Sequence, residues 1–313
     1  MMLDRYRDIL EEKKEPYYLQ AKRNDTDKDY SGLDIDDLWG EIDEFKRKDE
    51  IPSLELKEEL LERLLLDCEL CERRCGVNRI QGEKGSCEVT EAKISSEFLH
   101  MGEEKELVPS HTVFFAGCNF RCVFCQNYEI SQLNQGRHVS ADILAEKLDS
   151  GGGKNVNWVG GDPTPDLPYI LKVLKRMSKP VPQIWNSNLY LTERSMKILS
   201  QLMDVYLTDF KYGNDECARE LSNVDDYTFV VRRNHLIAEK TGDLIIRHLV
   251  LPGHLECCTK PLLEWIDQNL EDPKINIMTQ YRPMWKADDH PKIDRYLNRE
   301  EKREIKKLRK KYS

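Results

Sequence analysis

The chain has 313 residues, of which 39% are hydrophobic and 34% charged, and its formal net charge is −9. That length allows one large domain with an appendage or two ordinary domains, and the composition excludes a globally disordered chain. The acidic balance argues against holding duplex nucleic acid by bulk phosphate neutralisation, and no apolar run reaches the length of a signal-peptide core or a membrane span, which places the chain in the cytoplasm.

Residues 1–52 read as a charged N-terminal extension, in which KRNDTDKDYSG has almost nothing to bury and suggests a poorly ordered linker. Residues 53–110 hold a helix and a four-cysteine segment. The run LELKEELLERLLL repeats leucine at helical spacing over 54–66, and Ser53 is placed to cap it. From 111 to 285, strand-like and helix-like segments alternate, with candidate strands at 111–117, 156–160, 183–187, 205–209, 244–251 and 275–280. Such alternation predicts an α/β fold built of parallel βαβ units, and six strands predict a partial, open (β/α)6 TIM-like barrel. Chemistry in that architecture gathers at the carboxyl ends of the strands. Residues 286–313 end in EEKREIKKLRKKY, a charged helix with a solvated face.

In a reducing compartment, ten cysteines serve as ligands or core residues sooner than as disulfides. They form two groups, Cys68, Cys71, Cys75 and Cys87, then Cys118, Cys122 and Cys125; Cys217, Cys257 and Cys258 lie outside both and are left open, the adjacent pair Cys257 and Cys258 offering candidate ligands but reading sooner as buried or surface thiols near a helix start. Two separate inorganic sites follow from that distribution.

Cys118-Asn119-Phe120-Arg121-Cys122-Val123-Phe124-Cys125 puts three thiols in one loop after a buried strand, so three irons of a 4Fe-4S cubane can be held and the fourth left open for a reactant. The structural alternative is a zinc loop or three buried cysteines. Further on, Val159-Gly160-Gly161-Asp162-Pro163 follows a strand with glycines that permit close backbone approach to a ligand. Asn186-Ser187-Asn188 and Thr208-Asp209-Phe210-Lys211 end the next two strands, and Arg247 begins RHLVLPG. His248 and His254 read as satisfied structural histidines.

The blocks CELCERRCGVNRIQGEKGSC, FFAGCNFRCVFCQNYEIS, WVGGDPTP, WNSNLYLT, DFKYGN, RHLVLPGHL and INIMTQYRP, spanning roughly 55–285, resemble the radical S-adenosylmethionine (SAM) superfamily, in the branch related to pyruvate formate-lyase activating enzyme (PflX type). The resemblance implies a radical SAM barrel in which Cys118, Cys122 and Cys125 hold a 4Fe-4S cluster and the open iron chelates SAM. It further implies Phe124 near the adenine, Gly160, Gly161 and Asp162 at the cofactor's amino group, with aspartate in place of the family's usual glutamate, Asn188 and Asp209 around the ribose and sulfonium, and Lys211 at the carboxylate. Arg247 would contact substrate or cofactor.

Reductive cleavage to a 5′-deoxyadenosyl radical, a reductant such as ferredoxin or flavodoxin, and a protein substrate are the corresponding functional expectations. Activation of a glycyl radical enzyme leads; a methyltransferase or peptide-modifying enzyme, and a non-catalytic metal-binding or electron-transfer protein, are the alternatives. The four-cysteine block, spaced C-x2-C-x3-C-x11-C, offers a closed site for zinc or iron, or for a second iron–sulfur cluster.

Overall fold

The structure, a computed structural model, describes residues 3–25, 28–271 and 273–312. Met1, Met2, Thr26, Asp27 and Ser313, which fall in the expected extension, linker and C-terminal segment, lie outside them. One seven-stranded sheet organises the chain: β1 (Ile94–His100), β2 (Ser110–Phe115), β3 (Val156–Gly160), β4 (Gln183–Ser187), β5 (Val205–Asp209), β6 (Asp243–Leu249) and β7 (Lys274–Met278). The order in space is the order in sequence. From β2 to β7 every neighbour is parallel, as expected. Sheets that always add the next strand on the same side wind in one direction and curl, whereas a doubly wound sheet must reverse its order. The result is a partial barrel with β1 and β7 at its two edges.

Strand β1 was not foreseen. It runs antiparallel to β2, and its sequence ISSEFLH mixes polar and apolar residues of which only Ile94 is buried, so it lacks the signal of a buried parallel strand.

Alternation along the strands separates lumen from outer layer. Ile184, Val205, Leu207 and Ile245 form a small inner cluster with Tyr6 and Leu107, while Trp185, Tyr206 and Ile246 turn outward into the larger core beneath the helices. Continuing the same period inward brings Asn186, Asp209 and Arg247 toward the lumen. On the outer face Trp158 is fully buried and donates its indole N–H to Gln183 at 3.0 Å.

The Leu54–Leu66 helix forms where the leucine spacing predicts, with Ser53 Oγ accepting from the Leu56 amide at 3.2 Å. It buries Leu54, Leu56, Leu60, Leu61 and Leu64. The first fifty residues depart from expectation: three helices, Asp4–Leu10, Tyr17–Arg23 and Ile35–Arg47, bury Tyr6, Ile9, Tyr18, Ala21, Leu38 and Ile42. Even Tyr30 of the expected linker is 5% exposed. This segment closes the amino end of the barrel. Arg5 Nε donates to Asp204 at 2.9 Å, the Tyr6 amide to Asp243 at 2.7 Å, and Asn155 Nδ2 to the Tyr6 hydroxyl at 2.7 Å.

Candidate active site

The cysteine loop is fixed at both ends by backbone. Gly117 has φ +90°, and a Cβ there would stand 2.3 Å from the Val89 side chain. The Arg121 and Val123 amides donate to the carbonyls of Ser222 and Leu221, at 3.0 and 2.9 Å, so the loop lies along the last turn of the Asp215–Ser222 helix. Phe120 packs edge-on to Tyr190 and Tyr227, and Phe124 to Tyr212 and Tyr281. With these rings buried, Cys118, Cys122 and Cys125 share the wall of a cavity of about 450 Å³.

Each thiol has hydrogen-bonding groups nearby: the Phe120 amide on Cys118 at 3.3 Å, with Asn119 Oδ1 at 3.9 Å, Ser222 Oγ on Cys122 at 2.9 Å, and Ser131 Oγ beside Cys125 at 3.0 Å. Burial pushes the Cys118 thiol well above its ordinary range. It pushes Cys122 up to about 11, with the Lys211 ammonium pulling in the opposite direction. Cys118 and Cys122 are buried and Cys125 is half-buried, and the three become thiolates once a cationic centre takes them as ligands; hydrogen bonds to sulfur then tune that centre.

The remaining residues that the motifs single out, Phe124, Gly160, Gly161, Asp162, Asn188, Asp209, Lys211 and Arg247, all line the same cavity. The glycines also make room for the chain itself. A Cβ on Gly160, at φ +137°, would sit 2.1 Å from the Phe115 carbonyl oxygen, and one on Gly161 would sit 2.0 Å from that of Gly117. They thus permit close approach of the backbone leading into the cysteine loop.

Asp162 is 2% exposed, and its carboxylate accepts from the Asn188 amide at 2.9 Å, Ser187 Oγ at 3.0 Å and the Thr164 amide at 2.9 Å. Burial holds this carboxyl above the usual range. It thus shapes the exit of β4 from within. Asn188 in turn donates to Asn119 Oδ1 at 2.7 Å, joining that exit to the cysteine loop.

Lys211 Nζ lies 2.6 Å from Asp209. Burial lowers the affinity of the lysine for its proton, but Asp209 and Cys122 more than offset this, and the ammonium is held above its ordinary range. Arg247 is already neutralised. Its guanidinium pairs with Glu103 and with both oxygens of Glu104, at 3.0 and 2.6 Å.

Glu103 and Glu104 belong to the β1–β2 connection, which dips into the lumen, where Asn157 Nδ2 donates to Glu103 and Asn276 Nδ2 to Glu104. Burial raises the Glu104 carboxyl, but Arg247 overrides it and keeps the group below the usual range. This polar floor had no signal in the sequence beyond two adjacent glutamates. His248 sits between the Phe210 carbonyl and Thr259 Oγ1, and burial lowers it to about 4, so it is a neutral structural histidine.

The four-cysteine segment stands beside the cavity rather than in its lining. The Cys68 amide donates to Val77 and the Gly76 amide to Cys68, Cys71 bridges to Leu191, and Arg73 Nε donates to the Asn119 carbonyl at 2.8 Å. Burial raises the Cys71 thiol, and Cys87, Cys68 and Cys75 add to that rise, so the four sulfurs share one neighbourhood.

A family model described as the Radical SAM superfamily matches residues 112–266. An uncharacterized protein of Methanocaldococcus jannaschii is 42% identical across 100% of this chain and 98% of its own length. The pyruvate formate-lyase 1-activating enzyme of Escherichia coli is 25% identical over 151 residues, which cover 45% of this chain and 60% of that enzyme. Among solved structures, methylornithine synthase aligns with a TM-score of 0.44 at 15% identity, covering 94% of this chain and 76% of that one.

Proposed function

The chain belongs to the radical SAM superfamily, and on that premise we propose that its barrel mouth directs hydrogen abstraction at a carbon of a protein or peptide, a glycine Cα in a partner enzyme being the leading target. The observation that carries this reading is the convergence of Cys118, Cys122 and Cys125 with Asn188, Asp209 and Lys211 on one cavity at the carboxyl ends of the strands. The donor set fits the implied cofactors: three thiols on one cavity wall for a 4Fe-4S cluster, and a cation with polar side chains for a charged amino-acid moiety. When bound, these cofactors supply one-electron cleavage of SAM and a 5′-deoxyadenosyl radical.

The chain's own residues bind, orient and shield. Lys211, poised against Asp209, receives a carboxylate by exchanging partners. Asn188 and Asp209 flank the ribose and sulfonium, and Phe124 closes the apolar side. Asp162 acts by holding the backbone of Ser187 and Asn188 in place. Walls of buried side chains exclude water, so the position of the target hydrogen decides which bond reacts.

The amino end is sealed by the first helices, which supports entry of the target at the mouth. A one-electron donor such as ferredoxin or flavodoxin serves as reductant, in the cytoplasm. The site of Cys68, Cys71, Cys75 and Cys87, taking zinc, iron or a second cluster, braces the cysteine loop from the side.

The test is anaerobic reconstitution with iron and sulfide, then SAM and dithionite, with 5′-deoxyadenosine as the readout. Wild type yields the nucleoside and Cys122→Ala does not; a fully loaded wild-type cluster that leaves SAM intact overturns the reading. With a captured protein target, a glycyl-radical doublet in spin resonance supports activation, whereas a stable mass increase identifies a modifying enzyme.

A further inference from the structure

Three cysteines that the motifs leave over come together outside the cavity. Cys217 lies in the Asp215–Ser222 helix, and Cys257 and Cys258 in the π-helical turn Leu255–Thr259. Cys217 Sγ is 3.8 Å from Cys257 Sγ, Cys257 Sγ is 3.9 Å from Cys258 Sγ, and all three sulfurs lie within 4.8 Å of one another. With Zn–S bonds of ~2.3 Å, the edge of a tetrahedron of sulfurs is about 3.8 Å. Thiolates on different irons of a cubane stand farther apart, so this spacing suits a single ion.

The site is also built. The π turn carries two consecutive cysteines whose sulfurs are 3.9 Å apart, and such turns are frequent at functional sites. Asn214 organises both halves: its Oδ1 accepts from the Cys217 amide at 2.8 Å, and its Nδ2 donates to the Cys257 carbonyl at 2.7 Å and approaches Cys258 Sγ at 3.7 Å. Gly213 leaves room for the turn, since a Cβ there would stand 2.6 Å from the Cys258 carbonyl oxygen. Cys217 and Cys258 are buried and Cys257 reaches the surface, which opens one side to solvent.

We infer that Cys217, Cys257 and Cys258 form a third metal site, taking one zinc ion through three thiolates with its fourth position facing solvent. Soft thiolate donors select such an ion, and its uptake releases the thiol protons. Bound there, zinc clamps the exit of β5 to the exit of β6. Both exits carry cavity residues, Asp209 and Lys211 on one and Arg247 on the other. The clamp also backs the cysteine loop, because Tyr212, beside Gly213, hydrogen-bonds Ser222 at 2.5 Å, and Ser222 donates to Cys122.

The inference is independent of SAM chemistry and is tested by metal content. The full-length protein, reconstituted anaerobically, is exposed to Zn2+, desalted and analysed for zinc per chain; Co2+ is added in parallel for its thiolate charge-transfer and tetrahedral absorption. Cys257→Ser, at an exposed position, lowers bound zinc by one equivalent and removes the matching cobalt difference spectrum, and it does so equally in a Cys71→Ser background. Asn214→Ala weakens zinc affinity ~10–100-fold, as loss of an orienting partner does. Equal zinc and identical cobalt spectra in wild type and a folded Cys257→Ser overturn the site, as does a Cys217–Cys257 disulfide in anaerobic protein that takes up no metal there.

Discussion

At the amino ends of the strands, Asp204 accepts from Arg5 and from the Tyr17 and Gln183 amides, and Asp243 accepts from the Tyr6 amide. At the carboxyl ends, Asp209 meets Lys211 across the edge of an open volume, and Asn186, Ser187 and Asn188 border the same volume. Both ends are rich in charge. At the first, the partners come from the N-terminal segment packed onto the strands and from β4 itself, so polarity there serves closure; at the second, side chains from separate strands share a space left open among the described residues. The floor of Glu103, Glu104 and Arg247 divides the two regimes.

Removing that floor tests the division most severely. Arg247→Ala leaves two buried carboxylates without their cation and should cost about 3–5 kcal/mol, seen as a lower denaturant midpoint in urea unfolding. Lys211→Met should leave unfolding little changed while weakening SAM binding ~10–100-fold, the effect of losing a hydrogen bond to a charged group, measured by calorimetric titration of the anaerobic protein. A loss of stability with unchanged SAM affinity would place Lys211 with the closing charges.

Arg5→Ala is the mirror experiment. It should cost about 1–3 kcal/mol of stability, because Asp204, which burial already raises to about 6, loses its cation, while SAM cleavage per folded molecule stays the same.

The smallest effect concerns the helix that ends the chain. Glu301 accepts from Arg295, from the Asn298 amide and from Gly253 just past β6, and Arg295 foremost holds its carboxyl down to about 2. A carboxyl with a depressed folded pKa adds stability that is complete above its ordinary range near 4.5 and is lost as pH falls from there toward 2. Glu301→Gln should flatten the acid limb of the melting temperature in that window and leave neutral-pH cleavage unaltered.

The parallel strands were legible because short strand-like segments alternate with helical ones: β3, β4 and β5 form over the residues the sequence marks. The cavity residues were legible because motif and strand end coincide. Three features were not. In the first fifty residues, Tyr6, Ile9, Tyr18 and Ala21 are few and spaced among many charges, so the local average hides the face they form. Glu103 and Glu104 take their meaning from Arg247, more than 140 residues away, a pairing that only the closed sheet creates. At Gly160 and Gly161 sequence shows that space is needed without showing that the backbone of Phe115 and Gly117 takes part of it.

The seal at the amino end has a consequence for synthesis. The Arg5 amide bonds to Asp243 across 238 residues, and Tyr17 to Asp204 across 187. At ~5–20 residues per second, the first helices leave the ribosome roughly 10–50 s before their last partner is made. Through that interval the Asp4–Leu10 helix waits for β6, while the second and third helices already have the Leu54–Leu66 helix to pack against. The dense alternation of acidic and basic side chains, which makes this segment look like a solvated tail, favours its solubility until β6 arrives.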